Sequence, residues 1–238
     1  MSIALLIATS FSLGFFVESV VGFGGGLIAY SILSFFIDLK QMILSGLYIG
    51  TISSAYIIST DIKSFDKKIF KSIAPISLFM TMLGVLIFTY FSTQMLSLIF
   101  AVLLILLSVK IMFFEKYIFP KFLKTKLICL GGIAQGAFGT GGPFLVNALN
   151  NDFQNKSALR TTMAVFFFVF NIVRFLQLSL ENQLSLDFFL QIWWTIIPVF
   201  LAIKLGHLIH LKISENFFKK LISIMTMFAG MKFLIKFL

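Results

Sequence analysis

Apolar positions in this chain fall in continuous runs, at about residues 3 to 21, 26 to 37, 42 to 60, 72 to 90, 95 to 113, 127 to 138, 143 to 149, 161 to 180, 188 to 209 and 217 to 235. Runs of this length lack the two-residue alternation of a half-buried strand or a membrane β-barrel, so they predict helices. Ser72 to Val109 contains no Asp, Glu, Lys, Arg or His. At about 20 residues per crossing, that stretch fits two membrane spans joined by a turn at Phe91 to Gln94. The pattern predicts an all-α polytopic membrane protein with about eight or more hydrophobic segments.

Composition agrees with lipid as the main solvent. Hydrophobic residues make up 59% of the chain and charged residues 12%, with 32 Phe and a mean hydropathy of +1.04, whereas soluble domains carry about 25% charge. Met1 to Val21 is apolar but lacks a basic leader region and an A-x-A type cleavage site, so it is expected to be a retained membrane segment. No linker divides the chain, and the expected organisation is one transmembrane domain over residues 1–238. Richness in Lys, Ile, Phe and Asn suggests an AT-rich bacterial genome, and hence a multi-pass protein of the bacterial cytoplasmic membrane.

The net charge of +10 would suggest nucleic acid in a soluble protein. Here the Lys residues sit mostly between apolar runs, as expected of loops retained on the cytoplasmic side, so no nucleic-acid partner is implied. The lone Cys129 cannot form an internal disulfide, and no Cys/His cluster has metal-ligand spacing. His207 and His210, at i and i+3, lack further ligands to complete a shell, so neither a metal nor any other cofactor is expected.

Internal repetition is the most informative feature. Gly22-Phe23-Gly24-Gly25-Gly26 precedes Gly139-Thr140-Gly141-Gly142-Pro143 by 117 positions, and the same offset pairs Gly14 with Gly131 and Glu18 with Gln135. An offset of 122 or 123 pairs Pro75 with Pro198, Gly84 with Gly206, Ser92 with Ser214 and Lys110 with Lys232. Two halves, about 1–116 and 120–238, share one plan. Lys63, Lys67, Lys68 and Lys71 mark an early loop of the first half, whereas the early loop of the second half, Leu180 to Asp187, carries Glu181 and Asp187 and no Lys. The Lys-rich loop of the second half comes later, at Lys212, Lys219 and Lys220. Reversal of the charge order predicts inverted repeats, each a Gly-broken helical hairpin plus about three transmembrane helices.

Adjacent glycines cost a helix about 1 kcal/mol each relative to Ala, and an opened backbone in hydrocarbon is tolerated only where it faces protein or a polar cavity. Half-helix N-termini present N–H groups and the positive end of a dipole, which favours an anion. Close helix packing is the other use of such glycines. Duplication at matching positions favours the anion reading, with both clusters expected near the bilayer centre around one cavity. The candidate substrate-binding set is Gly24, Gly25, Gly26, Thr140, Gly141, Gly142, Pro143, Asn171 and Arg174.

Arg174 stands inside the run Thr161 to Leu180, with Asn171 and Gln177 three positions away on either side, on one helical face. Its forked donors suit a sulfonate, sulfite or carboxylate. An ion pair with Glu18 or a snorkelling position is the structural alternative. Glu18 and its counterpart Gln135 are the coupling candidates, for a proton or sodium; the structural alternative for Glu18 is a partner for Arg174 or Lys204. Lys204 and His207 approach a Lys-rich helix end and read as snorkelling. Trp193 and Trp194 read as an interfacial aromatic belt.

These residues resemble the TauE/SafE family of bacterial membrane transporters, also described as sulfite or organosulfonate exporters. The resemblance rests on the two glycine clusters, their duplication, the spacing of the hydrophobic segments and the length, and it spans nearly the whole chain. The family pattern usually has a Pro several residues after each cluster; here Ile28 to Leu33 has none, and Pro143 lies within the second cluster. What the resemblance implies is export of a small sulfur-containing or related organic anion. The residues alone argue for an anion site. Against a membrane-embedded enzyme stands the lack of a nucleophile–base set, and against a scaffold or assembly subunit stands the inverted duplication, so no catalytic residue is assigned.

Overall fold

In the computed structural model, which describes residues 2–21, 24–113, 121–149, 152–209 and 215–235, the ten hydrophobic runs fall mainly on helices, and the run at 188 to 209 is divided between two. The helices are α1 (Ile3–Val21), α2 (Gly25–Leu33), α3 (Leu39–Asp61), α4 (Lys67–Tyr90), α5 (Thr93–Phe113), α6 (Lys121–Phe138), α7 (Gly142–Leu149), α8 (Lys156–Leu180), α9 (Leu186–Ile192), α10 (Ile196–Ile209) and α11 (Glu215–Ile235). No strand occurs among the described residues. Gly22, Phe23, His210, Lys212 and Ser214, singled out above, lie outside them.

Helix starts follow their capping chemistry. Asp66 Oδ1 accepts from the N–H groups of Lys68 and Ile69 at 3.0 and 2.9 Å, starting α4. Asn155 Oδ1 accepts from Ala158 at 2.8 Å at the head of α8, and Ser92 Oγ from Met95 at 3.2 Å at the head of α5. Each supplies an acceptor to a first-turn N–H that the helix itself leaves unbonded. The expected turn after α4 is present, at Phe91 and Ser92.

Among the described residues, five stretches are long and apolar enough to cross a membrane: Leu39–Ser64, Lys67–Tyr90, Thr93–Phe113, Ser157–Leu180 and Leu186–Gly206. Ile3–Ser19 is a shorter apolar helix. Large apolar side chains also remain outward on coherent faces. On α10, Ile197, Leu201, Leu205 and Leu208 are all exposed at helical spacing. On α4, Phe79, Met82, Leu83 and Leu86 are likewise exposed. Water would penalise these stripes and lipid would not. The protein is therefore an all-helical, multi-pass membrane protein.

The chain forms two compact units, and each draws on both sequence halves. The first contains residues 1–46, 91–117 and 186–238; the second contains 47–90 and 118–185, so the division falls inside α3. In the first unit α1 packs on α2 and α10, and α11 packs on α5 and α2. An aromatic chain fills its centre: Tyr30 meets Phe11 and Phe100 edge to face at 6.0 and 6.2 Å, and Phe100 meets Phe233 at 5.7 Å. Between α5 and α11, Ser108 and Thr226 share a buried hydroxyl hydrogen bond of 2.7 Å, and Ser223 donates to Ser108 O. In the second unit α4 packs on α6 and α8, and α6 on α7. Ile73, Ile128, Leu145, Leu149, Met163, Phe166 and Phe170 form its core.

The glycines paired by the 122-residue offset serve matching crossings. A Cβ on Gly84 would strike the α6 backbone at Ile133 O, and one on Gly206 would strike α1 at Ser19 Oγ and Phe16 O. Small residues there allow α4 against α6, and α10 against α1, to approach backbone to backbone. The paired prolines differ. Pro75 sits inside a continuous α4, whereas Pro198 stands in the first turn of α10, after a 3₁₀ turn at Trp193–Thr195 separates α9 from α10. A first-turn Pro forfeits no helical hydrogen bond, while Pro75 removes one.

Candidate functional site

Both glycine clusters interrupt helices, as expected. In the first unit the break lies between Val21 and Gly25. Gly24 has φ of 94°, a left-handed conformation open to glycine and strained for most other residues. That turn brings the first N–H of α2 back onto α1: Gly25 N donates to Glu18 Oε2 at 2.8 Å. Glu18 therefore caps the half-helix from inside the hairpin. A side chain on Gly14 would collide with Gly25 O, so the two arms of the hairpin touch through glycine. Gly26 faces open space.

In the second unit the break lies between Phe138 and Gly142. Its positive φ, 71°, falls on Gly139 at the end of α6 rather than at the start of α7. Gly139 N donates to Gln135 O at 2.9 Å and Thr140 N turns back to Ala134 O at 3.3 Å, so two late carbonyls of α6 are satisfied. Gly141 N then donates to Gln135 Oε1 at 3.0 Å. The residues paired at an offset of 117, Glu18 and Gln135, thus do the same structural work: each spans its break and caps the following half-helix. Pro143 lies in the first turn of α7, where it lacks an N–H that the helix would not bond, and Asn147 Nδ2 donates to Pro143 O at 2.7 Å.

A buried polar network extends from this second cap. Gln135 Nε2 donates to Asn171 Oδ1 at 3.3 Å, Arg174 Nη1 donates to the same oxygen at 3.3 Å, and Arg174 Nε donates to Gly136 O at 3.0 Å. Because Gln135 presents its carbonyl to Gly141, its amide nitrogen faces Asn171, and the orientations of both amides follow. Gln135, Asn171 and Arg174 are 3%, 4% and 1% exposed. Gly136 belongs to the last turn of α6, so the guanidinium sits at the negative end of that half-helix. Thr140, inside the break and 3% exposed, has a buried hydroxyl with no hydrogen-bond partner.

Five of the expected site residues, Gln135, Thr140, Gly141, Asn171 and Arg174, therefore share the break or one network in the second unit. The ring of Phe167 lies within 3.2 Å of where a Cβ on Gly142 would be. Gln177, predicted on the same face as Arg174, turns instead to α4, where its Nε2 donates to Met82 O at 3.3 Å. In the first unit Gly24 lies in the break, Gly25 and Gly26 open α2, and Glu18 reaches across from α1 to cap it. Two participants escaped the sequence reading. The Gly136 carbonyl carries no side-chain signal, and Gly50 of α3 leaves room for Asn171 Nδ2, 3.4 Å from where its Cβ would stand.

A family model described as "Sulfite exporter TauE/SafE" matches residues 6–233. No curated protein and no solved structure gives a match.

Proposed function

Since this chain belongs to the sulfite exporter TauE/SafE family of membrane transporters, we propose that it moves a small anion, of the sulfite or sulfonate kind, outward across a bacterial cytoplasmic membrane. The observation that carries the anion reading is the buried guanidinium of Arg174 in the network that caps the α7 break. An arginine this deep is costly in lipid, and its fork matches an oxyanion. The α7 N-terminus adds N–H donors and a positive dipole end. Gly142 and Thr140 would contact the anion through a backbone N–H group and a hydroxyl, Gly141 would hold the cap through its bond to Gln135, Pro143 would hold the α7 start, and Asn171 would orient Arg174.

The proposal includes inverted repeats, as the reversed Lys pattern requires, and a coupling role for Glu18. Transport needs two accessible states, and in transporters built on broken helices the breaks form the site around which one repeat rocks against the other. Flux of sulfite into proteoliposomes tests the reading. Arg174→Gln is expected to reduce flux at least about tenfold, and Arg174→Lys, which keeps the charge and loses the fork, to retain part of it. Parental flux from both variants would assign Arg174 to helix capping alone.

A further inference from the structure

The two breaks are built alike and charged differently. Glu18 caps α2 with a carboxylate at 2.8 Å from Gly25 N, and Gln135 caps α7 with a neutral amide at 3.0 Å from Gly141 N. An N-terminal half-helix carries roughly half a positive charge. At the α2 break that charge faces an acidic side chain, which opposes it with a full negative charge when ionised. At the α7 break it remains uncompensated by its cap, Arg174 joins the same network, and the partnerless Thr140 hydroxyl offers one more donor.

We propose that the duplicated breaks have diverged, so that the α7 break alone holds the oxyanion and Gln135 determines this by capping without charge. The inference rests on the anion reading above and narrows it to one break. Gln135 is a positioning residue: it spends its carbonyl on Gly141 and its amide on Asn171, which leaves the Gly142 N–H and the Thr140 hydroxyl to a ligand. A carboxylate in its place would cap Gly141 equally well, as Glu18 shows at the other break, and would bring a negative charge to the oxyanion's own subsite. The ligand class is a small tetrahedral or pyramidal oxyanion headgroup, with sulfite as the probe.

The test is equilibrium binding of radiolabelled sulfite to purified full-length protein in detergent, with Gln135→Glu, Glu18→Gln and Thr140→Val compared with the parent. Gln135→Glu is expected to weaken binding at least about tenfold, since like charges juxtaposed in a desolvated site are strongly unfavourable. Glu18→Gln should bind no more weakly than the parent, and Thr140→Val should lose several-fold. Equal binding by Gln135→Glu and the parent, or a loss in Glu18→Gln matching that in Gln135→Glu, would overturn the divergence while leaving anion transport standing. A parent that binds no sulfite would overturn both. Should Gln135→Glu fail to fold, Thr140→Val decides: a several-fold loss supports the assignment, and unchanged affinity overturns it.

Discussion

At the residue scale, the caps separate structure from chemistry. Glu18→Ala removes the acceptor for Gly25 N–H and should cost about 1 kcal/mol, the usual value of an N-cap. Glu18→Gln keeps an acceptor, as Gln135 does in the second unit, and should unfold within a degree or two of the parent in a detergent thermal melt. A larger drop for Glu18→Gln would mean that its charge, and not only its acceptor, holds the first unit together. Gly24→Ala forces a Cβ into φ of 94° and brings it within 3.2 Å of the Ile222 terminal methyl; the left-handed strain should cost about 1–2 kcal/mol in the same melt. The pairing of Glu18 with Gln135 was legible from their common offset. Their role as caps was not, because it depends on breaks that bring residues seven and six positions apart into hydrogen-bonding range. Asn171 and Arg174 were legible as neighbours from helical spacing, whereas the bond from Arg174 to Gly136 O joins backbone and side chain across 38 residues.

At the element scale, the helices were the most legible part of the molecule, because lipid-facing runs are long and charge-poor. The same signal misses the discontinuity at Trp193–Thr195, since a 3₁₀ turn inside an apolar run changes no residue class. The charge of the loops is the basis of their proposed sidedness, and the proposed inverted arrangement makes a direct expectation. With Cys129 replaced, single cysteines at positions 66 and 183 should label from opposite faces of the membrane, 66 from the cytoplasm and 183 from outside. Labelling of both from one face would contradict the inversion. Gly206→Leu should destabilise the first unit more than Leu205→Ala, because position 206 abuts α1 and Leu205 points outward.

At the scale of the whole molecule, the halves read from the repeat and the units formed by packing differ. The offset of 117 pairs Glu18 with Gln135 and one glycine cluster with the other, but it carries no information on which helices touch. In fact α1 pairs with α10 and α6 with α4, so each unit combines an amino-terminal hairpin from one half with a later helix from the other. The site is legible to the extent that it is local: the glycines, Pro143 and the α8 face stand out in sequence, while the cap-to-guanidinium network needs three helices in place. The central claim, transport of a small oxyanion, is met most directly by flux into proteoliposomes containing the purified protein, with radiolabelled sulfite challenged by excess taurine, acetate, choline or glycerol. The account predicts protein-dependent sulfite uptake that competing sulfonate or carboxylate reduces and that choline and glycerol leave unchanged. Uptake no greater than in empty liposomes, or competition by choline in preference to the anions, would contradict it.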